Sequence, residues 1–122
     1  MLTSLVWFLA LIQIKHWYID FVNQSNEEVA SKGIYGDAKG LNHSIKHGLG
    51  TFIVVLIITD LPYVVFAGVI GFIDFITHYH IDWAKMNWGN RDIQNPKFWS
   101  HLGLDQMAHQ LCYLLLALLI FA

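Results

Sequence analysis

Residues 50–85 read GTFIVVLIITDLPYVVFAGVIGFIDFITHYHIDWAK, two long apolar runs with a short polar break between them. The break contains Asp60, a good helix N-cap residue, and Pro62, which helices tolerate in their first turn. The pattern therefore predicts a helix that ends near residue 59, a tight turn, and a further helix over about residues 62–86.

Apolar runs also lie on both sides of this stretch. The helix that ends near residue 59 is expected to begin near residue 42, a first helix covers about residues 2–24, and a last helix covers about residues 102–122. A membrane span needs ~20 residues, and these segments reach that length when their polar ends are counted. Residues 1–122 are therefore predicted to form one all-α domain, a four-helix transmembrane bundle with short loops.

The connections between these helices differ in character. Ser25-Asn26-Glu27-Glu28 has the form of a capping box and predicts a short surface helix over about residues 26–32. Residues 87–101 are polar and contain Pro96, so a loop is expected there.

Composition restricts the class of protein. Of the 122 residues, 56% are apolar and 13% are charged, which is too little charge to cover a soluble domain. The lipid bilayer is therefore the expected partner, and the net charge of −2 gives no reason to expect nucleic acid. Cys112 is the single cysteine, so any metal would be held by imidazole and carboxylate groups.

Basic residues predict the orientation. Six of the seven basic residues lie in or beside the first and third connections: Lys32, Lys39, Lys46, Lys85, Arg91 and Lys97. The connection around Asp60 has none. By the positive-inside rule, the first and third connections are expected to face the cytoplasm and both termini to face outward.

Every predicted long helix carries one pair of ionisable residues four positions apart, which places each pair on one helix face. The pairs are His16 and Asp20, His43 and His47, His78 and Asp82, and Asp105 and His109. They lie at the ends of the first and third helices and at the starts of the second and fourth. In an up-down-up-down bundle these positions are at one level, on the cytoplasmic side.

This layer predicts a metal site. Charged side chains inside a membrane are costly, and clustered carboxylates and imidazoles repel or protonate unless a cation joins them. Helical bundles build metal sites from such inward groups. We expect the eight residues to hold one or two divalent ions, and their mixed ligands suit zinc, manganese or iron. A hydrogen-bonded polar core without metal is the alternative.

The ordered motifs resemble a known family. His16-x-x-x-Asp20, His43-x-x-x-His47, His78-x-x-x-Asp82-x-x-Lys85 and Asp105-Gln106-x-x-His109 are similar to motifs of small bacterial and phage membrane proteins, catalogued as domain of unknown function number 3307. That resemblance implies a fold and candidate site residues but no activity. A more distant resemblance is to predicted membrane-bound metal-dependent hydrolases, and it implies hydrolysis by analogy.

The leading functional hypothesis is a metal-dependent hydrolase at the cytoplasmic interface, acting on a phosphoester or lipid-linked substrate. Asp20 or Asp82 would act as general base where it does not ligate metal, and Lys85 would bind an anionic substrate. Gln24 and Gln106 are candidates to orient the ligands.

Three other functions stay open. A non-enzymatic protein could inhibit a host membrane protein or form a pore as a homo-oligomer, with a structural metal or a polar core. A di-metal redox centre would prefer Glu, and the only two Glu residues lie outside the spans. Transport would need polar groups in the far half of each helix, where few occur.

Overall fold

A computed structural model describes all 122 residues and contains helices but no strands. The helices are α1 (Leu2–Trp17), α2 (Asn26–Ser31), α3 (Ala38–Thr59), α4 (Val64–Trp88) and α5 (Pro96–Phe121). A π turn over Tyr18–Val22 extends α1, and a 3₁₀ turn over Leu61–Tyr63 precedes α4. Four segments of 21 to 28 residues, built on α1, α3, α4 and α5, are long and apolar enough to cross a membrane. The predicted fold class is confirmed.

The four long helices form a closed ring. Helix α3 packs against α1 and α4, and α5 packs against α4 and α1, so α1 and α4 lie on one diagonal. The short helix α2 packs on α3. We call the end of the bundle with the α1–α3 and α4–α5 connections, residues 18–37 and 89–95, the polar end.

Two helices begin earlier than the sequence predicts. Helix α3 begins at Ala38 rather than near residue 42, because Asp37 caps it by accepting a hydrogen bond from the Lys39 N–H (2.9 Å). Helix α5 begins at Pro96 rather than near residue 102, so the predicted loop over 87–101 was wrong for its second half. Asn95 caps α5, and proline suits the first helical position because it has no N–H to leave unpaired.

The apolar core fills the half of the bundle away from the polar end. Its fully buried members are Phe8, Ile12, Val55, Ala67, Ile70, Tyr113 and Leu116. Many other large apolar side chains are exposed on the outside of the ring, as expected for a surface that faces lipid. Polar side chains inside the bundle are thereby confined to its other half.

Two glycines bring α3 and α4 into backbone contact beside that polar half. A Cβ on Gly71 would lie 2.6 Å from the Gly48 carbonyl oxygen, and a Cβ on Gly48 would lie 2.8 Å from the Gly71 oxygen. Small residues permit such close approach between membrane helices. The contact fixes the distance between His47, the neighbour of Gly48, and His78, two turns after Gly71.

The chain then crosses the polar end in a capped segment. The predicted capping box is confirmed, because Ser25 Oγ accepts from the Glu28 N–H (3.1 Å) and Glu28 Oε2 accepts from the Ser25 N–H (3.0 Å). Burial acts to raise the pKa of Glu28, but the Lys46 ammonium and the Ser25 N–H outweigh it, so this pKa lies below its ordinary value.

Candidate metal centre

The eight paired residues converge inside the polar end, and all of them are buried. Each helix supplies its pair from adjacent turns of one face. The π turn of α1 keeps Asp20 inside the bundle, and the Asn23 N–H bonds to the Tyr18 carbonyl (2.7 Å) in the wider turn. The structure thus brings together residues that are far apart in sequence, up to the 93 positions between His16 and His109.

The first group of potential ligands surrounds the Asp20 carboxylate. Asp20 Oδ1 lies 2.8 Å from His47 Nε2, 3.1 Å from His43 Nε2 and 3.7 Å from His78 Nε2. One ligand atom from each of these four residues falls within 4.8 Å of the others.

The second group surrounds Asp82. Asp82 Oδ1 lies 3.1 Å from His109 Nε2, and Asp82 Oδ2 lies 3.3 Å from His78 Nε2. The ligand atoms of these three residues also fall within 4.8 Å of one another. His43 joins the groups, because its Nε2 is 3.6 Å from Asp82 Oδ2.

His78 belongs to both groups. Its ring is stacked between those of His47 and His109, with centroid distances of 3.5 Å and 4.0 Å. Neither of its ring nitrogens has a hydrogen-bond partner, although the side chain is fully buried. Buried imidazoles normally bond through at least one nitrogen, so His78 has a donor or acceptor that the protein alone leaves unused.

The spacing of these atoms fits a metal ion. Ligands about 2.1 Å from a tetrahedral ion are about 3.4 Å from each other. The N–O separations around Asp20 and Asp82 run from 2.8 to 3.7 Å and bracket this value. Together with the unpaired nitrogens of His78, this spacing means that the residues present can hold a divalent ion.

Charge pairing separates Asp20 from the other buried aspartates. Lys15 Nζ lies 2.9 Å from Asp74, Lys32 Nζ lies 3.1 Å from Asp82, and Lys85 Nζ lies 3.3 Å from Asp105. Asp20 has no lysine or arginine within ion-pair distance, and imidazoles alone surround it. A buried carboxylate is stabilised by a neighbouring positive charge, and at Asp20 a protonated imidazole or a bound cation can supply it.

Residues 7–122 match the family described as "Protein of unknown function (DUF3307)". The chain belongs to this family. The DUF3307 resemblance of the motifs is thereby confirmed. No curated protein and no solved structure matches the chain, and the resemblance to metal-dependent hydrolases stays a prediction.

Two of the eight predicted residues, His16 and Asp105, lie at the edge of the two ligand groups. His16 Nε2 donates to Gln106 Oε1 (2.8 Å), and its Nδ1 accepts from the Tyr113 hydroxyl (2.7 Å), so both ring nitrogens are used. Asp105 lies 3.5 Å from His109 Nε2 but outside both ligand groups. Gln106 also donates to Asp105 Oδ2 (3.1 Å), whereas Gln24 bonds only to the Asp20 backbone carbonyl.

A second polar layer lies one turn deeper in the bundle. Its centre is the ion pair of Lys15 and Asp74, and Asp74 also accepts from Thr51 Oγ1 (2.5 Å). Lys15 Nζ donates further to the Tyr113 hydroxyl and to His47 Nδ1, both at 3.2 Å. Residues of this layer therefore hydrogen-bond to the Nδ1 atoms of the His16 and His47 rings.

Sequence reasoning missed the roles of Lys15 and Lys32. The sequence places Lys32 at the end of the predicted surface helix, among the basic residues that indicate orientation, yet its side chain is 5% exposed and reaches Asp82. The available signal for Lys15 was its position beside His16 in an apolar helix, since a lysine at that depth requires a partner. Lys85, predicted to bind an anion, is paired with Asp105 and is 24% exposed.

Proposed function

We propose that this protein is a metal-dependent hydrolase of the membrane interface that acts on a phosphoester or lipid-linked substrate. The observation that carries the proposal is the environment of Asp20, a buried carboxylate among four imidazoles and no ammonium group. The imidazole nitrogens around Asp20 would hold a divalent ion, whose charge would compensate that of the carboxylate.

When the shared His78 is assigned to the second group, the six central residues form two sets of one carboxylate and two imidazoles. Asp20 with His43 and His47 forms one set, and Asp82 with His78 and His109 forms the other. Three protein ligands leave positions open for water and substrate, which is typical of catalytic rather than structural ions. Zinc, manganese and iron all accept such ligands, and two ions per chain are expected.

A bound divalent ion supplies a Lewis acid and makes water a usable nucleophile near neutral pH. The chain's own residues handle the proton and the substrate charge. An oxygen of Asp20 or Asp82 that does not ligate accepts the proton of the attacking water. The water oxygen forms a new bond to phosphorus, the ester P–O bond breaks, and the proton passes to the departing alkoxide. Lys85 binds the phosphate charge.

We also propose that the polar end faces the cytoplasm of a bacterial inner membrane. Six basic residues in or beside its two connections, and none in the Asp60 turn, support this orientation. Reporter fusions test it. Alkaline phosphatase fused after Ala122 is expected to be active, and a fluorescent C-terminal fusion that folds only in the cytoplasm is expected to be dark.

A metal-free polar core is the second candidate, and one contact favours it. Lys15 donates to His47 Nδ1, which puts the His47 proton on Nε2, facing Asp20 Oδ1. A metal ion at His47 Nε2 would have to displace this proton. Calorimetric titration with zinc in buffers of different ionisation enthalpy distinguishes the candidates, because metal binding at this position releases protons and a metal-free core takes up no zinc.

Hydrolysis is tested with purified protein, bis(p-nitrophenyl) phosphate and phosphatidylglycerol vesicles. We expect activity that a chelator abolishes and that zinc, manganese or iron restores. Asp82→Asn is expected to lower kcat by more than 100-fold, and Asp92→Asn, on the exposed α4–α5 loop, is the matched control with wild-type activity. Equal activity of chelated and metal-loaded protein would overturn the proposal.

A further inference from the structure

A cleft of about 320 Å³ lies between α4 and α5 at the polar end. Its apolar wall contains Ile81, Ala84, Leu104 and Ala108, and its polar groups include Lys85 and Asp105. Leu104 is 58% exposed on the outer surface of α5, so the cleft opens sideways from the bundle. A site with a largely apolar lining and an ammonium group midway along it suits an amphiphile.

Asp105 connects this cleft to the metal centre. Asp105 is one of the residues that line the cleft, and its Oδ1 atom lies 3.5 Å from His109 Nε2. That oxygen is buried and has no hydrogen-bond partner within the protein. A polar group bound beside Asp105 would therefore lie next to the ligands of the second set.

The segment between α1 and α3 covers part of the polar end. Lys32 in this segment is 5% exposed and lies against Asp82. The segment is held down by the Gly36 N–H, which donates to the Tyr79 hydroxyl (2.6 Å), and by Asn87, which donates to the Gly33 carbonyl (3.0 Å). The cleft between α4 and α5, by contrast, opens beside the exposed Leu104 on the outer surface of the bundle.

Lys85 provides the charge complementarity for an anion. Its ammonium lies 3.3 Å from Asp105 Oδ2, an oxygen that also accepts from Gln106. Because Gln106 continues to bond this oxygen, Lys85 can turn to a bound phosphate without leaving the carboxylate oxygen unpaired. A quarter of the Lys85 side chain is already exposed.

We propose that the α4–α5 cleft binds a phospholipid from the bilayer, with its phosphate on Lys85 and its acyl chain along Leu104 and Ala108. The proposal names the substrate class of the hydrolase proposed above and rests on it for the chemistry. Binding itself depends only on residues of the chain, so it is expected in chelator-treated protein as well.

The test is native mass spectrometry of delipidated, chelator-treated protein titrated with phosphatidylglycerol. We expect one tightly retained lipid, an apparent affinity at least 10-fold lower in Lys85→Gln, and loss of retention in Ala108→Phe, which fills the cleft. The matched controls are Lys97→Gln and Ala10→Phe, both at exposed positions, and both are expected to bind as the wild type does.

Two further ligands test whether the site binds a phospholipid or free phosphate. Diacylglycerol, which lacks phosphate, is expected to bind at least 10-fold more weakly, and millimolar inorganic phosphate is expected not to displace the lipid. Displacement by inorganic phosphate would overturn the proposal in favour of a free-phosphate site. Equal retention by Ala108→Phe and Ala10→Phe would also overturn it. Lipid retention without hydrolysis by the metal-loaded protein would contradict only the hydrolase, so the two failures are distinguishable.

Discussion

Asp20 Oδ1 lies 2.8 Å from His47 Nε2, and Asp20 is the one aspartate of the buried cluster that no lysine approaches. The other three aspartates each have an ammonium group within 3.3 Å. This difference divides the polar end into a part where ammonium groups neutralise the carboxylates and a part where the carboxylate contacts imidazoles alone.

The ligand groups predict unequal effects of histidine substitutions. His43→Gln removes a nitrogen that contacts Asp20 and approaches Asp82, so high-affinity binding of at least one ion is expected to be lost. His16→Gln removes a ring whose nitrogens already bond to Gln106 and Tyr113, and about 10- to 100-fold weaker metal binding with unchanged stoichiometry is expected. Metal titration of both variants is the measurement, and equal losses would contradict the division into central and edge residues.

The glycine contact between α3 and α4 predicts a strong effect of one methyl group. Gly71→Ala places a Cβ 2.6 Å from the Gly48 carbonyl oxygen, so the helices must separate, at a cost of about 1–3 kcal/mol. Metal affinity is expected to fall together with stability, because His47 and His78 move apart. Gly68→Ala is the matched control, since nothing lies within 4 Å of its Cβ. Equal unfolding temperatures of the two variants in detergent would argue against the close contact.

The Lys32–Asp82 pair predicts stability that depends on metal. Lys32→Met leaves Asp82 with one cationic partner fewer, and breaking a buried pair in this way costs about 3–5 kcal/mol. Added zinc is expected to recover most of the lost thermal stability, because the ion supplies the missing charge. Lys39→Met, at an exposed position, is expected to unfold as the wild type does. A Lys32→Met protein that zinc does not stabilise would contradict a metal ligand role for Asp82.

The capped segment over the polar end predicts a pH-dependent contribution from Glu28. The pKa of Glu28 is lowered in the folded protein, so its stabilisation is fully present above the unfolded value of about 4.3 and disappears as pH falls through the lower folded value. Glu28→Gln is expected to cost about 1.5–3 kcal/mol at pH 7 and progressively less below pH 4. Glu27→Gln, at an exposed residue, controls for the change in net charge. A stability difference between the variants that does not change with pH would be inconsistent with the Glu28–Lys46 pair.

The sequence was sufficient for the layer of paired residues because helical periodicity and bundle topology both follow from local patterns. Pairs four residues apart share a face, and alternating helix directions bring their ends to one level. The start of α5 was misplaced because the polar composition after Trp88 was given more weight than the cap at Asn95.

The lysine pairings could not be predicted from local pattern. Lys32 reaches Asp82 across 50 positions of sequence through a segment with no apolar periodicity, and Lys15 reaches Asp74 across 59. Such contacts depend on how the segment folds back over the bundle and on which helix faces meet. The separation of His16 and Asp105 from the central six residues likewise depends on side-chain geometry.

The most direct test of the metal centre is the metal content of purified protein by elemental analysis, in the wild type and in Asp20→Asn. We expect two divalent ions per wild-type chain, no more than one in Asp20→Asn, and two in the surface control Asp92→Asn. The unfolding temperature of the same samples, measured with and without zinc, is a second readout. Added zinc is expected to stabilise the wild type, and Asp20→Asn is expected to lose this stabilisation. A wild-type chain without metal after purification in zinc, with an Asp20→Asn variant of equal or greater stability, would contradict the metal centre and indicate a polar core.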